Sequence, residues 1–130
     1  MNDPLQAFLN ADLNIEEDVY IKRLGVHIRI KALLEETVNN LKEQATHFVG
    51  KGQHKEKRFN SEEFSGLVVA EACVNINFGD SKMLEKYGAK DAGDCVGKAL
   101  LTGEVTKLTE AIFLLSGYDD DDELLEEAKN

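Results

Sequence analysis

Cysteine and histidine are too few and too scattered to make a recognisable metal or redox site. The chain has two cysteines, Cys73 and Cys95, and three histidines, His27, His47 and His54. The cysteines do not form a C-x-x-C pair, and no histidine lies in an H-E-x-x-H motif. We therefore expect two reduced, partly buried thiols, with no metal ligand set and no cysteine nucleophile.

Phosphate-binding loops and long apolar runs are also missing. Gly93 and Gly97 belong to the segment DAGDCVG, which is not a P-loop and is more typical of close helix packing. No window approaches the roughly 20 apolar residues of a membrane span. The first residues lack the positive n-region of a signal peptide. We expect a cytoplasmic protein with no cofactor and no catalytic apparatus.

An extended basic field is missing as well, since acidic residues outnumber basic ones by 25 to 15. The net charge is -10, and residues 119–130 alone hold seven acids and one lysine. The one local basic run, GQHKEKR at residues 52–58, is short and is interpreted as a solvated loop. Because an acidic surface repels phosphate and anionic lipid, we expect no nucleic acid and no membrane among the partners.

The acidic row at residues 119–123 could suggest a calcium loop. If such a loop began at Asp119, the glycine required at its sixth position would be Leu124, and the bidentate glutamate at its twelfth would be Asn130. The loop therefore fails at its two most demanding positions. We predict instead that residues 119–130 form a flexible acidic tail, which follows a single globular domain at residues 1–118.

The apolar patterning predicts a mostly α (α+β) domain of about five helices with an N-terminal β-hairpin packed on it. Apolar and polar residues alternate on both sides of Leu24-Gly25, which predicts a hairpin over about residues 17–31. Asp3-Pro4 is typical of a helix start. Helical spacing and N-cap signals predict further helices near residues 34–48, 60–74, 80–87, 91–100 and 104–116. The apolar face of the first of these is predicted to consist of Leu34, Val38, Leu41, Ala45 and Phe48. Residues 50–58 are interpreted as the clearest internal loop.

Several stretches, taken in order, resemble a known family. They are RLGVHIRIKALLEE, RFNSEEFSGLVVAEACV, NINFGDSKMLEKYGAKDAGD, KALLTGEVTKLTEAIFLLSGY and the terminal ELLEEAKN. Together they resemble the XkdN-like tail assembly chaperones of phages and phage-derived tail-like particles, over about residues 16–130. Each stretch alone is a short mixture of helix-capping, helix-ending and apolar residues. The resemblance rests on the order and spacing of all the stretches together.

The resemblance implies a non-enzymatic role. Such chaperones hold the long tape measure protein while tail tube subunits polymerise around it, and they are absent from the finished tail. It also implies self-association. A longer form made by ribosomal frameshifting would recruit tail tube protein, and we hypothesise that slippage occurs near Lys129-Asn130, whose codons are A-rich.

Five residues are candidate partner contacts by hypothesis: Phe113, Leu114, Tyr118, Leu124 and Leu125. An amphipathic helix is bound through apolar grooves, and these residues lie off the main apolar face of the last helix or amid acids. The alternatives are that Phe113 and Leu114 belong to the core, and that Leu124 and Leu125 dock on the chain's own body.

Other classes of protein remain open at this point, among them another structural or regulatory adaptor protein of a phage. An acidic protein can mimic DNA and block a host DNA-binding protein, but such mimics usually spread their acids over an elongated face, whereas here the acids concentrate at one end. A small enzyme would need a pocket with paired carboxylates or a Cys–His contact, which the sequence does not predict.

Overall fold

The computed structural model describes residues 3–118 of the chain. The described residues form six α-helices, two separate two-stranded sheets and a short 3₁₀ turn (Gly52–His54). In chain order they are α1 (Pro4–Asn10), β1 (Glu16–Ile21), β2 (Val26–Lys31), α2 (Glu35–Gln44), β3 (Thr46–Val49), β4 (Glu56–Phe59), α3 (Ser61–Ala72), α4 (Ser81–Tyr87), α5 (Ala92–Ala99) and α6 (Thr102–Leu115). The predicted class, mostly α with an N-terminal hairpin, is confirmed.

The β1–β2 hairpin packs on the helices through one face. Val19 lies opposite Ile28 in the antiparallel register, and both are buried together with Ile21 and Ile30. The alternate positions are exposed, as the period of two predicts. This packing gives a lone two-stranded sheet the apolar support that it needs in water.

The side chain of Asn75 extends this hairpin on its outer edge. Its Oδ1 accepts from the Arg29 N–H at 2.9 Å, and its Nδ2 donates to the His27 carbonyl at 2.9 Å. The Val74 N–H also donates to the Arg29 carbonyl at 2.8 Å. The segment after α3 therefore covers part of an edge that would otherwise present free backbone groups.

The central helix α3 packs against α5 and α6, and Val68, Val69 and Ala72 are fully buried there. The backbones of α3 and α5 come close together at Gly66 and Gly93. A Cβ built on Gly66 would lie only 2.6 Å from the Gly93 carbonyl oxygen. Close packing was predicted for the glycines of DAGDCVG, and the structure places it at Gly93. Gly97 has open space around it.

The helix starts follow the N-cap signals of the sequence. The side chains of Asp3, Asn60, Asp80 and Asp91 each accept a hydrogen bond from a backbone N–H in the following turn. These bonds satisfy donors that the first turn of a helix leaves free.

The sequence interpretation is wrong between residues 44 and 59. The predicted helix over 34–48 ends at Gln44, and Thr46–Val49 instead pairs with Glu56–Phe59 in the predicted loop. Phe48, expected on the apolar face of that helix, is 67% exposed. The start of this helix also differs from the prediction. Leu34, predicted to point into the core, is 55% exposed, and the buried leucine is Leu33 in the loop before the helix.

The two cysteines are partly or fully buried, as predicted. Cys95 lies in the core and Cys73 is half-buried at the end of α3. Burial raises the pKa of the Cys73 thiol to about 12, and burial followed by the charge of Asp94 raises the pKa of Cys95. Both thiols are therefore poor nucleophiles in the folded chain.

Candidate partner-binding groove

The last helix ends in a turn that fixes the position of Tyr118. The Gly117 N–H donates to the Leu114 carbonyl at 3.1 Å, and the Tyr118 N–H donates to the Phe113 carbonyl at 3.0 Å. Gly117 has a φ of 96°, which a side chain would disfavour. This is a Schellman ending, and its usual apolar contact is present because the Tyr118 ring meets the Phe113 ring edge-on at 5.1 Å.

The hydroxyl of Ser116 joins this turn to the loop before α2. Its oxygen accepts from the Leu33 N–H at 2.8 Å, and its proton is donated to the Ile112 carbonyl at 2.6 Å. One side chain therefore satisfies a loop donor and a carbonyl near the helix end at the same time. The start of α2 and the end of α6 are held side by side as a result.

A groove of about 310 Å³ lies between these two helix ends. We call it the α2–α6 groove, and its lining residues are Leu33, Glu35, Val38, Ser116, Gly117 and Tyr118. The side chains of Leu33 and Val38 are buried, and Glu35 is exposed at the first position of α2. The lining is about equally polar and apolar, and a mixed groove beside one carboxylate suits a partner helix that offers an apolar side chain with a basic neighbour.

The structure separates the five candidate contact residues. Phe113 is 1% exposed and belongs to the core beneath the groove, whereas Leu114 is 43% exposed on the surface of α6. Tyr118 lines the α2–α6 groove, and Leu124 and Leu125 lie outside the described residues. Sequence reasoning missed Leu33, because the helical spacing favoured its neighbour Leu34.

Four aromatic rings form a continuous series from the second hairpin to the end of α6. The ring centroids of Phe59 and Phe64 are 5.3 Å apart, those of Phe64 and Phe113 are 6.0 Å apart, and Tyr118 follows at 5.1 Å. We call this series the aromatic ladder. Because Phe64 and Phe113 are buried, the ladder runs through the core and connects the end of β4 to Tyr118 by three ring contacts.

A second groove, of about 480 Å³, is lined by charged residues of both signs from α3, α5 and the flanking loops. Its charges largely satisfy each other. His47 Nε2 lies 2.6 Å from a Glu63 oxygen, and Lys98 lies 3.1 Å from Asp94. The Lys90 backbone N–H, and then Lys98, hold the pKa of Asp94 below its usual value. Such mutual pairing indicates a structural surface rather than a reactive site.

Residues 3–118 contain neither a metal-binding group nor a helix that could span a membrane. In that part of the chain, no three histidine, cysteine or acidic side chains come together as a metal-binding group. Among its helices, none combines the length and apolar character of a membrane span.

Comparison with known proteins identifies the class of the chain. Residues 5–129 match the family described as phage XkdN-like tail assembly chaperone protein. The match covers nearly the whole sequence, so the chain belongs to this family, which is a family of phage assembly proteins and not of enzymes. The resemblance seen in the sequence is thereby confirmed.

A Bacillus subtilis (strain 168) protein named as uncharacterized protein YqbN is 31% identical to this chain over 100 residues, which cover 75% of this chain and 67% of YqbN. The crystal structure of YqbN superposes with a TM-score of 0.64, over 92% of this chain and all of that one. The superposed residues are 18% identical. The fold is therefore shared.

Proposed function

We propose that this protein binds the tape measure protein of its phage or tail-like particle and keeps it from aggregating while the tail tube polymerises. The observation that carries this proposal is the α2–α6 groove, where Tyr118 and the exposed Glu35 border a depression above the buried Leu33 and Val38 that can receive one side chain of a helix. A long helical cargo exposes many such side chains along one face. Binding would occur in the host cytoplasm, and the chaperone would leave before the tail is complete.

Self-association belongs to the same proposal. The helix α1 has no buried residue, and its Phe8 is 83% exposed together with Leu5 and Leu9. Contact between copies would remove this apolar surface from water. We expect Phe8→Ser to lower the average mass measured by light scattering relative to the unchanged chain. The matched substitution Leu24→Ser, at an exposed leucine of the β1–β2 turn, should leave that mass unchanged.

The test of cargo binding is co-expression with the tape measure protein of the same element, followed by affinity capture. Soluble, captured tape measure protein is the expected result. Its absence from both the soluble and the captured fractions would contradict the proposal. If the tail tube protein is co-expressed as well, its recruitment by a frameshifted longer form would appear in this assay as a second captured protein.

Two surface variants locate the binding site. Leu114→Glu and Glu35→Lys alter exposed side chains at the end of α6 and at the groove, so they should preserve the fold and reduce capture about 10-fold or more. The control is Leu24→Glu, since the neighbouring Arg23 contacts Glu104 at the opposite end of α6. Equal capture by all three variants would place the binding surface elsewhere.

A further inference from the structure

The β3–β4 hairpin concentrates positive charge in an otherwise acidic chain. Residues 46–59 carry three lysines, one arginine and one glutamate, whereas the whole chain has a net charge of -10. Arg58 pairs with Glu56 at 2.7 Å. Lys51 and Lys55 make no ion pair with any residue between positions 3 and 118. We call residues 46–59 the basic hairpin.

An exposed phenylalanine lies among these cations. Phe48 is opposite Lys57 in the register, and the Lys57 Nζ lies 5.9 Å from the centre of its ring. A large exposed ring is apolar surface that a partner can cover, and the lysines around it favour a partner with carboxylates beside its apolar residues. The surface therefore fits an acidic segment that carries leucine or a similar side chain.

The register shows which way this surface faces. Phe48 and Lys57 form one cross-strand pair, and Thr46 and Phe59 form the pair two residues further along. Positions two apart on a strand share a face, so Phe48 and Phe59 lie on the same side of the basic hairpin. Phe59 begins the aromatic ladder, which ends at Tyr118. The exposed Phe48 ring thus lies on the face of the basic hairpin that carries Phe59, and Phe59 is three ring contacts away from Tyr118.

We propose that the basic hairpin is the docking surface for the chain's own acidic end, residues 119–130, within the same molecule. That segment has the required chemistry, because Leu124 and Leu125 are flanked by five acids before them and two after them. Twelve residues can span up to about 40 Å when extended. The ladder separates Tyr118 from Phe59 by only three ring contacts of 5.3, 6.0 and 5.1 Å.

The tether makes an intramolecular contact favourable even if the contact itself is weak. A short connecting segment gives the acidic end an effective concentration of the order of millimolar at the basic hairpin. The acidic ends of other molecules, when present below this concentration, compete poorly with the tethered one. The docked segment covers Phe48 and neutralises the lysines, and any partner that uses the same surface must first displace it.

Zero-length carbodiimide cross-linking of the full chain at low protein concentration tests this proposal, because it joins only lysines and carboxylates that are in contact. Mass spectrometry should find the lysines of the basic hairpin, Lys51, Lys55 and Lys57, joined to acids of residues 119–127 in monomeric protein. The double variant Leu124→Ser and Leu125→Ser keeps every reactive group. It should lower the yield at least ~5-fold, the change expected when partial burial of one leucine is lost.

Two further variants complete the test. Phe48→Ser changes an exposed side chain of the surface itself and should lower the yield as the double variant does, whereas Leu24→Ser is the matched control and should leave it unchanged. An unchanged yield in both the leucine and the Phe48 variants would overturn the proposal. It would also be overturned by cross-links shared equally with Lys82 and Lys86 of α4, or found mainly in dimers with a yield that rises with protein concentration.

Discussion

Arg23 and Glu104 form a two-pronged ion pair, in which Nε donates to Oε2 at 2.9 Å and Nη2 donates to Oε1 at 2.8 Å. Arg23 lies in the turn of the β1–β2 hairpin and Glu104 in the first turn of α6. The same Nη2 donates to the Ala99 carbonyl at 3.2 Å, and the Leu101 N–H donates to Glu104 Oε1 at 2.8 Å. This one ion pair therefore connects the hairpin, the end of α5 and the start of α6.

This connection should make stability depend on pH. The hydrogen bond from Arg23, followed by that from Leu101, lowers the pKa of Glu104 below its usual 4.5. A lowered folded-state pKa contributes stability above the unfolded value, and this contribution is lost as pH falls through the folded value. We expect Glu104→Gln to lower the urea midpoint at neutral pH, and the difference from the unchanged chain to shrink below about pH 4.5. Glu43→Gln, at an exposed α2 site, is the control; a difference that widened in acid would contradict the assignment.

The approach of Gly66 to Gly93 can be tested with a pair of alanine substitutions. Gly66→Ala should destabilise the fold by about 1–3 kcal/mol despite alanine's better helix propensity, because the new methyl group meets a backbone carbonyl that cannot move alone. Gly97→Ala, where a Cβ has open space, should stabilise it by about 0.5–1 kcal/mol. Urea unfolding measures both free energies of unfolding, and the same sign for both would refute the packing described for α3 and α5.

The bridge made by Asn75 depends on its amide group. Asn75→Asp retains the acceptor for the Arg29 N–H but removes the donor to the His27 carbonyl, so we expect a loss of about 0.5–1.5 kcal/mol. Asn39→Asp, on the exposed face of α2, makes the same chemical change without such a bond and should have little effect. Hydrogen exchange of the Arg29 and Val74 amides would report the local loosening directly, and unchanged exchange would argue against the bridge.

The buried thiols should be unreactive until the chain unfolds. A pKa of about 12 for Cys73 leaves a thiolate fraction near neutral pH about 1000-fold below that of a thiol at the usual 9.0. We therefore expect a thiol reagent to label the native protein at least ~100-fold more slowly than the urea-unfolded protein. A cysteine introduced at the exposed Ser81 should react at the rate of a free thiol. Fast native labelling of Cys73 or Cys95 would show that the end of α3 or the core opens readily.

The sequence predicted the fold best where a local signal and tertiary packing agree. Alternation around Gly25 and the N-cap side chains of Asn60, Asp80 and Asp91 each act within a few residues, so their elements appear as predicted. The 44–59 region was misassigned because Ala45 and Phe48 continue the helical spacing of α2, while the lysines and arginine of β4 hide its period of two. The secondary structure of residues 44–59 is determined by pairing between β3 and β4. The spacing of apolar residues within one segment does not reveal its pairing with another segment.

The candidate site was predictable only in part for the same reason. The sequence suggested residues near the end of α6, and Tyr118 indeed lines a groove. Phe113 could be either contact or core from its spacing, and the structure places it in the core. Leu33 joins the groove through the hydrogen bond from its N–H to Ser116, a contact between residues 83 positions apart. No local pattern carries that information.

The Schellman ending of α6 has a practical consequence for protein engineering. Two backbone hydrogen bonds and one ring contact hold Tyr118 in a defined orientation relative to α6, so a tag, dye or second domain joined directly to Tyr118 starts from that orientation. Replacing Gly117 with alanine would disfavour its positive φ and change that orientation without altering any residue of the core. Distances measured from a probe at Tyr118 should therefore differ between the unchanged chain and the Gly117→Ala variant, and the difference reports the orientation that the Schellman ending sets.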